Sequence, residues 1–451
     1  MFHLVAQRLQ QRLRSQSEFG KIARNSFWLV IEKALRMALA VTVSLLVARY
    51  LGPDRFGLLS YALSFVMIIA VLARLGLDAI LVRDLVKQTD ATPSILGTGF
   101  GLKLSAGMLA ALLTIGLALY VFDDQLGLSL VFIIALGTIL SAFDVATFWF
   151  QAEQRSQTMA LLRMGVMIVV TALKLVCVLI EAPLIAFAWL LMADLALPPI
   201  VLTVALLFMR PELRRWSWQP ERAWAYLREG WPLLLSNAMV LIYLRIDQVM
   251  LGLLATTRDV GYYAAAVRFS EIWGLLPVAI AWAAFPALVR AREQSDALLF
   301  QRTQQLYDFM VLSAFAVIGL MGVLGGPIIE VLLGSEFAPA APILMVHIWS
   351  SIFVFVELVR AKVLITQHLA RAYSLSTIIG VLTNVLLNLW LIPLYAGLGA
   401  AIATLVSYAM VTLGASLIIP ALRPEGWRIL LALFAPVRWI GRKLGKITKE
   451  V

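Results

Sequence analysis

The 451-residue sequence is short of the residues that build disulfides and metal sites. Its one cysteine, Cys177, cannot form a disulfide within the chain, and its three histidines, His3, His347 and His368, show no metal-ligand spacing. Charged residues make up only 14% of the chain, whereas hydrophobic residues make up 62%. We therefore expect no metal centre and no cofactor. A water-soluble protein is excluded, because a soluble core of this size cannot bury so much apolar material.

Long apolar runs such as residues 127–150 recur along the chain. A helix needs ~20 mostly apolar residues to cross hydrocarbon, and the alternating segments typical of a transmembrane barrel are lacking. The sequence predicts an all-α polytopic membrane protein of about twelve transmembrane helices, over residues 27–48, 57–76, 96–121, 127–149, 159–180, 185–209, 231–254, 261–288, 306–325, 342–366, 373–394 and 397–420.

Basic residues divide unequally between the predicted connections. With a cytoplasmic N-terminus, the cytoplasmic segments hold 24 Lys and Arg, and the opposite side holds only Arg49, Arg55 and Arg258. This split fits the positive-inside rule with both termini in the cytoplasm. The net charge of +11 is then explained by anionic membrane lipids, so no nucleic-acid partner is expected. The polar, basic first 26 residues do not resemble a cleavable signal peptide.

The chain is predicted to divide at its longest connection between spans, residues 210–230, which is basic and rich in Trp. This segment is typical of an amphipathic helix on the cytoplasmic membrane surface. The predicted organisation is a basic cytoplasmic N-terminus (1–26), a six-helix bundle (27–209), the amphipathic linker (210–230), a second six-helix bundle (231–420) and a basic amphipathic cytoplasmic tail (421–451).

The two halves echo each other in sequence. Residues 56–65, FGLLSYALSF, resemble residues 260–269, VGYYAAAVRF, at an offset of 204 residues. The next spans end in similar fashion, with ILVR at 80–83 and ALVR at 287–290. Matching positions in both halves indicate a parallel internal repeat.

Charged residues lie inside the predicted spans, where each is costly unless it faces other helices or a wet cavity. Ten are basic and seven are acidic: Lys33, Arg36, Arg74, Lys103, Arg163, Lys174, Arg245, Arg268, Arg360 and Lys362, against Glu32, Asp78, Asp144, Asp194, Asp247, Glu271 and Glu357. Of the basic set, Lys362, Lys174 and Arg74 are the first that we expect to extend from helix ends toward water.

Helical spacing places some of these charges on one face. Glu32 and Arg36 are four residues apart, while Arg268 with Glu271 and Glu357 with Arg360 are three apart. Such pairs are either locks between helices or part of a binding site. A surplus of cations favours a polyanionic ligand such as a diphosphate, because an arginine binds phosphate oxygens through two N–H groups at once.

Three segments resemble one family. Residues 384–409, NVLLNLWLIPLYAGLGAAIATLVSYA, are similar to the last spans of Wzx-type O-antigen and exopolysaccharide flippases of the MOP exporter superfamily. Residues 48–65 and 246–271 are similar to the starts of that family's two halves. The resemblance implies two six-helix bundles, MOP- or MATE-like, around a central cationic cavity that opens alternately to each side. Asn384, Asn388 and the small residues near Gly397 are interpreted as helix-packing features, not as a site.

The resemblance implies a transporter and not an enzyme. Its cargo would be an undecaprenyl-diphosphate-linked oligosaccharide, moved to the outer leaflet, and its partners would be membrane lipids, a polymerase and chain-length regulator proteins. Cationic residues in the first and eighth helices of related flippases point to Arg36 and Arg268. Alternatives are a MATE-like multidrug antiporter and, on the same carrier lipid, a membrane glycosyltransferase or polymerase. A lipid II flippase of fourteen spans fits the length less well.

The predicted site therefore has two sets of residues. The first would contact the substrate diphosphate or line the cavity: Arg36, Lys33, Lys103, Arg163, Arg245, Arg268 and Arg360. The second would position an arginine, or carry H+ or Na+ as a coupling ion because a carboxylate in a partly dry cavity can bind and release it: Glu32, Asp78, Asp247, Glu271 and Glu357.

Overall fold

A computed structural model describes the backbone of residues 2–438 and the side chains of residues 32, 35–275, 277–281, 283–369 and 371–438. Over the described residues the chain is helical and contains no strand. The prediction of an all-α protein is therefore confirmed. Because each helix bonds its own backbone amides, this is the architecture that hydrocarbon surroundings require.

Ten helical segments within the described part of the chain are long and apolar enough to cross a membrane. They are Leu35–Lys87, Thr89–Val121, Gln125–Ala152, Ser156–Leu179, Leu184–Met209, Pro220–Leu254, Thr257–Gln294, Asp296–Leu333, Ala340–Thr366 and Arg371–Ile418. Their composition shows a multi-pass membrane protein. The first and last are 53 and 48 residues long, about twice what one crossing needs.

Both long segments contain a backbone break. Helix α1 (Phe2–Ala70) is interrupted at Gly52, whose φ is 70°, and α14 (Ala370–Ala409) at Ala396, whose φ is 46°. In α14 the chain folds back on itself, since a Cβ atom at Gly399 would overlap the Leu391 carbonyl oxygen, eight residues away and about 12 Å along a straight helix. This segment therefore has two antiparallel arms. Counting the two arms separately brings the ten segments closer to the predicted twelve spans. The count of twelve stays a prediction.

The first compact unit comprises residues 1–43 and 69–237. Its helices are the start of α1, α2 (Asp78–Lys87), α3 (Thr92–Val121), α4 (Gln125–Leu140), α5 (Val145–Ala152), α6 (Ser156–Leu179), α7 (Leu184–Met209) and the start of α8 (Pro220–Leu254). An apolar cluster that includes Leu81, Phe150 and Leu206 forms part of its core.

The predicted linker does not form a separate helix. Residues 220–230 are the first turns of α8, which continues through Pro232 to Leu254. Leu213 and Tyr226 are buried in the apolar cluster of the first unit. These residues complete the core, whereas Trp218 and Trp224 are exposed. The predicted place of this segment on the membrane surface stays a prediction.

Among the described residues, the second compact unit comprises residues 44–68 and 238–438, so the middle of α1 packs with the later helices. The other helices are the rest of α8, α9 (Thr257–Glu271), α10 (Leu275–Gln294), α11 (Asp296–Leu333), α12 (Ala340–His347), α13 (Ser351–Thr366), α14, α15 (Ala415–Ile418) and α16 (Arg423–Leu433). The prediction that bundles begin at 27 and 231 stays a prediction, and the described contacts place residues 44–68 with the second unit.

Helix interruptions recur at nearly the spacing of the sequence repeat. The 3₁₀ segment Val71–Arg74 has its counterpart in Ile272–Gly274, and Ser141–Asp144 has its counterpart in Ile348–Ser350. Within each pair, the two segments begin almost as far apart in the chain as the echoed sequences do. A 3₁₀ turn inside a long helix is typical of a hinge or a strained position, so the repeat extends to the irregular positions as well as to the helices.

The echoed sequences also touch each other within the second unit. A Cβ atom at Gly57 would overlap the Thr257 carbonyl oxygen, and one at Gly261 would overlap that of Pro53. Gly57 and Gly261 are separated by the offset of the repeat, as are Pro53 and Thr257, so equivalent positions of the repeat meet reciprocally. Only glycine allows two helices to approach this closely.

We expect Gly261→Ala to destabilise the protein, because its methyl group would meet backbone that cannot move aside. Overpacking of this kind costs about 1–3 kcal/mol. Gly116→Ala is the matched control, since a Cβ atom there meets nothing within 4 Å, and it should stabilise α3 slightly. Thermal unfolding in detergent measures both. Equal melting temperatures for the two variants would contradict the close contact.

Candidate functional site: a charged cavity in the first unit

A cavity of about 500 Å³ lies inside the first unit. Its walls come from α1, the end of the 3₁₀ segment Val71–Arg74, α2, α3, the 3₁₀ segment Ser141–Asp144, α6 and α7. The charged residues that line it are Glu32, Arg36, Arg74, Asp78, Lys103, Asp144, Arg163, Lys174 and Asp194. The cavity therefore brings Glu32 together with four other predicted site residues: Arg36, Asp78, Lys103 and Arg163.

A helix interruption builds one wall of the cavity. Between α4 and α5 the chain forms the 3₁₀ segment Ser141–Asp144, and the Phe143 carbonyl group accepts a hydrogen bond from Thr203 Oγ1 at 2.9 Å. Pro198 and Pro199 in α7 also line the cavity. Proline and the 3₁₀ turn both open the regular helix packing, which leaves room for polar side chains at this level.

Arg36 is held at the cavity by Glu32. Arg36 Nη2 lies 3.0 Å from Glu32 Oε1, and the Arg36 side chain is 51% exposed while that of Glu32 is 4% exposed. The predicted pairing at four-residue spacing is confirmed. A buried carboxylate fixes one edge of the guanidinium group and leaves the other N–H groups free to bind an anion. The Lys33 side chain lies outside the described residues.

Lys103 is the buried cation of the charged cluster, the set of charged residues that line the cavity. Its side chain is 3% exposed, and Nζ lies 3.9 Å from Asp78 Oδ1 and 3.8 Å from Asp144 Oδ2. It also lies 4.8 Å from the centre of the Phe148 ring. The distances to the carboxylates are ion-pair distances but too long for hydrogen bonds. Asp78 Oδ1, which is shielded from solvent, has no hydrogen-bond partner, so the cluster keeps unused binding capacity.

Arg163 extends the same cluster. Its Nη2 lies 3.8 Å from Asp144 Oδ1 and donates a hydrogen bond to Thr147 Oγ1 at 3.0 Å. Thr147 Oγ1 in turn donates to Asp144 Oδ1 at 2.6 Å. Asp144 is thereby a shared partner of two cations and a hydroxyl group, although it was not among the predicted site residues.

Lys174 and Arg74 also line the cavity, although neither was among the predicted site residues. Lys174 pairs with Asp194, and Arg74 is exposed and has no ion-pair partner within 4.0 Å among the described residues. The expectation that Lys174 and Arg74 extend from helix ends toward water did not include a place in the cavity wall. Lys174 lies on α6 and Asp194 on α7, so helical spacing gives no signal for the pair.

The charge of the cavity is close to balanced. Five cations and four carboxylates line it, so the excess is one positive charge. The predicted spans together hold three more basic than acidic residues, and this surplus is not concentrated in the cavity. Lys103 and Arg163 lie 3.8–3.9 Å from the carboxylates beside them, too far for hydrogen bonds, and such loosely paired charges suit a ligand that carries both phosphate and hydroxyl groups.

Asp247, in the second unit, is buried among neutral donors. It accepts hydrogen bonds from Asn388 Nδ2 at 2.6 Å, Thr404 Oγ1 at 2.7 Å and Tyr263 Oη at 2.7 Å. No cation lies within 4.0 Å of it among the described residues. All three donors lie on helices other than that of Asp247, namely α9 and α14.

The asparagines of α14 belong to this same polar site. Asn388 Nδ2 also donates to Asn384 Oδ1 at 3.1 Å, and Asn388 Oδ1 has no hydrogen-bond partner. The interpretation of Asn384 and Asn388 as packing residues only was therefore incomplete. Their four-residue spacing was the signal, and the missing information was that Asp247 faces them.

The remaining predicted residues of the second unit behave differently from one another. Arg360 pairs with Glu357 at 2.9 Å, donates to Ser376 Oγ at 3.2 Å and has no exposed surface. It is a buried lock in this structure, and the expectation that it lines a cavity is corrected. Arg245 and Arg268 are half-buried and Glu271 is exposed. Among the described residues, no ion pair within 4.0 Å joins Arg268 to Glu271.

This arrangement defines a class: a polytopic helical membrane protein with a charged cavity inside one of two helical units. The lipid II flippase MurJ, in its inward closed conformation, shares the fold with a TM-score of 0.69 at 16% identity, over 91% of this chain and 92% of that one. The predicted MOP-type fold is thus confirmed.

The family follows from the sequence comparisons. The model of the family described as "Polysaccharide biosynthesis protein" matches residues 22–292, more than half of the chain, and the protein belongs to this family. A probable flippase of Haloferax volcanii, AglR, is 33% identical over 203 residues, which are 44% of this chain and 41% of that protein. The succinoglycan biosynthesis transport protein ExoT of Rhizobium meliloti is 24% identical over 336 residues, 72% of this chain and 65% of that one.

Proposed function

We propose that this protein is a flippase for polysaccharide biosynthesis. Its substrate would be an undecaprenyl-diphosphate-linked oligosaccharide, carried by alternating access from the cytoplasmic to the outer leaflet of the inner membrane, for O-antigen or exopolysaccharide. The family match and the relatives named as a flippase and a transport protein support the class. The observation that carries the proposal is the cavity in which Arg36 is anchored by buried Glu32 and still half exposed.

The cavity residues suit the two chemical parts of such a substrate. Arg36 and Arg74 present guanidinium groups with unused N–H donors, which match phosphate oxygens. Asp78 Oδ1, with no hydrogen-bond partner, is an acceptor for a sugar hydroxyl group. Lys103 lies 3.9 Å from Asp78 and 3.8 Å from Asp144, and Arg163 lies 3.8 Å from Asp144, so both cations stay close to the carboxylates of the cavity. The lipid tail needs no polar contact and would stay in hydrocarbon.

Coupling to H+ or Na+ is the second part of the proposal. Asp247 is a buried carboxylate surrounded by oxygen and amide groups, and the free Asn388 Oδ1 adds an acceptor. A hard cation or a proton is the species such an oxygen-rich site takes. Binding there would change the charge that the second unit must bury, and so bias one of two conformations over the other.

Deletion of the gene in its native host tests the function. We expect unpolymerised lipid-linked oligosaccharide to accumulate on the cytoplasmic side while surface polymer is lost, and re-expression to restore both. Mass spectrometry of extracted lipids would identify the cargo. Normal polymer together with a raised sensitivity to cationic drugs would instead favour the multidrug antiporter, and loss of sugar transfer in isolated membranes would favour the transferase or polymerase.

A further inference from the structure

A groove in the second unit lies where α10 ends and α11 begins. It has a volume of about 480 Å³ and combines an apolar floor with a polar edge. The residues that line it are Ala284, Ala287, Leu288, Arg290, Ala291, Gln294, Leu298, Arg302, Gln305 and Leu306. None of them lines the charged cavity of the first unit. The groove therefore has a ligand chemistry of its own, with apolar side chains below and two guanidinium and two amide groups above.

The positive charge of this groove is not neutralised within the protein. Arg290 and Arg302 are exposed, and among the described residues neither forms an ion pair within 4.0 Å or a side-chain hydrogen bond. Nearby Arg292 pairs with Asp296 and is not one of the lining residues. The charge of Arg292, outside the groove, is thus neutralised by Asp296. Arg290 and Arg302, in the groove, are free to bind an anion.

The position of the groove selects the kind of anion. The flanking segments Thr257–Gln294 and Asp296–Leu333 are long and apolar enough to span the membrane. They meet at Ser295, and charged residues from Arg290 to Arg302 surround this junction. A groove at such a junction lies at the boundary between hydrocarbon and headgroups. A molecule that fits both surfaces has an acyl chain for the Ala and Leu floor and a phosphate for the arginines.

We propose that this groove binds an anionic phospholipid of the surrounding bilayer. The phosphate group is held by Arg290 and Arg302, Gln294 and Gln305 donate to the headgroup, and an acyl chain covers Leu288, Leu298 and Leu306. Basic pockets between membrane helices recognise anionic headgroups in this way. Because α10 and α11 both contact the lipid, its presence ties the ends of these two helices together.

Native mass spectrometry of the purified full-length protein tests the proposal, with equal amounts of phosphatidylglycerol and phosphatidylcholine added in detergent. Wild-type protein should retain phosphatidylglycerol in preference to phosphatidylcholine. In the double variant Arg290→Gln/Arg302→Gln, the ratio of bound phosphatidylglycerol to bound phosphatidylcholine should be about tenfold lower, since each interfacial arginine contributes to anionic-lipid binding. The matched control Arg292→Gln should behave as wild type, and Arg290→Lys/Arg302→Lys should keep most of the preference.

Three results would overturn the groove as a lipid site. They are an unchanged preference in the double glutamine variant, an equal loss in Arg292→Gln, and full displacement of the bound lipid by millimolar inorganic phosphate, which would indicate a soluble anion as the ligand. Gel filtration and thermal unfolding check that each variant is folded. If the double variant unfolds, the single variants Arg290→Gln and Arg302→Gln are compared with Arg292→Gln in its place.

Discussion

Arg36→Ala is expected to abolish polymer export while the protein still reaches the membrane. The substitution removes a half-exposed guanidinium group from the charged cavity. Hydrogen bonds to charged groups contribute about 1.5–3 kcal/mol each, so each lost bond to the phosphate should lower transport about 10- to 150-fold. Arg36→Lys should rescue only part of the activity, because an ammonium group cannot bind two phosphate oxygens in one plane. Arg268→Ala in the second unit should have a similar effect.

The control for Arg36→Ala is Arg210→Ala. Arg210 has a comparable exposure, 45%, and also pairs with a glutamate, Glu212, but it lies outside the cavity. Because Arg36→Ala leaves Glu32 buried without its cation, the double variant Glu32→Gln/Arg36→Gln separates lost binding from lost folding. Surface polymer is measured by immunoblot against equal membrane levels of each variant. Full export by Arg36→Ala would refute a role for the cavity in substrate binding.

Asp247→Asn is expected to leave the protein folded and to remove the dependence of transport on H+ or Na+. The hydroxyl groups of Tyr263 and Thr404, which donate to Asp247, can rotate to accept from the new amide, so the hydrogen bonds are kept and only the charge is lost. Coupling free energies between sites are typically about 1–3 kcal/mol. The stimulation of transport by the ion gradient should therefore be about 5- to 150-fold smaller in the variant than in the wild-type protein.

Asp54→Asn is the matched control, since Asp54 also belongs to the second unit but is 63% exposed and lies 3.7 Å from Arg258. Transport is measured in proteoliposomes with and without an imposed pH or Na+ gradient. A response in Asp247→Asn equal to that of wild type would remove Asp247 from the coupling mechanism. Glu32→Gln in the first unit then becomes the alternative position to examine.

Local spacing was enough to predict the helical architecture and two of the ion pairs. Apolar runs gave the spans, because an α-helix is the way a single segment satisfies its own amides in hydrocarbon. The Glu32–Arg36 and Glu357–Arg360 pairs follow from residues four and three apart on one helix face. The repeat was visible at Gly57 and Gly261, where close helix contact requires glycine in both copies.

Contacts between helices distant in sequence could not be predicted in the same way. The Lys174–Asp194 pair joins two helices, and the donors around Asp247 come from α9 and both arms of α14. Burial of Arg360 depends on the packing of neighbouring helices, not on its own segment. The amphipathic pattern of residues 210–230 did not indicate that Leu213 and Tyr226 would join the core of the first unit.

Direct observation of lipid translocation tests the central claim. Purified protein is reconstituted in vesicles that carry a fluorescent undecaprenyl-diphosphate-linked oligosaccharide, and a membrane-impermeant enzyme that cleaves the sugar reports how much reaches the outside. We predict that wild-type protein exposes oligosaccharide that empty vesicles keep protected, and that Arg36→Ala vesicles match the empty ones while Arg210→Ala vesicles match wild type. Equal protection in empty and wild-type vesicles, under either a pH or a Na+ gradient, would contradict the account.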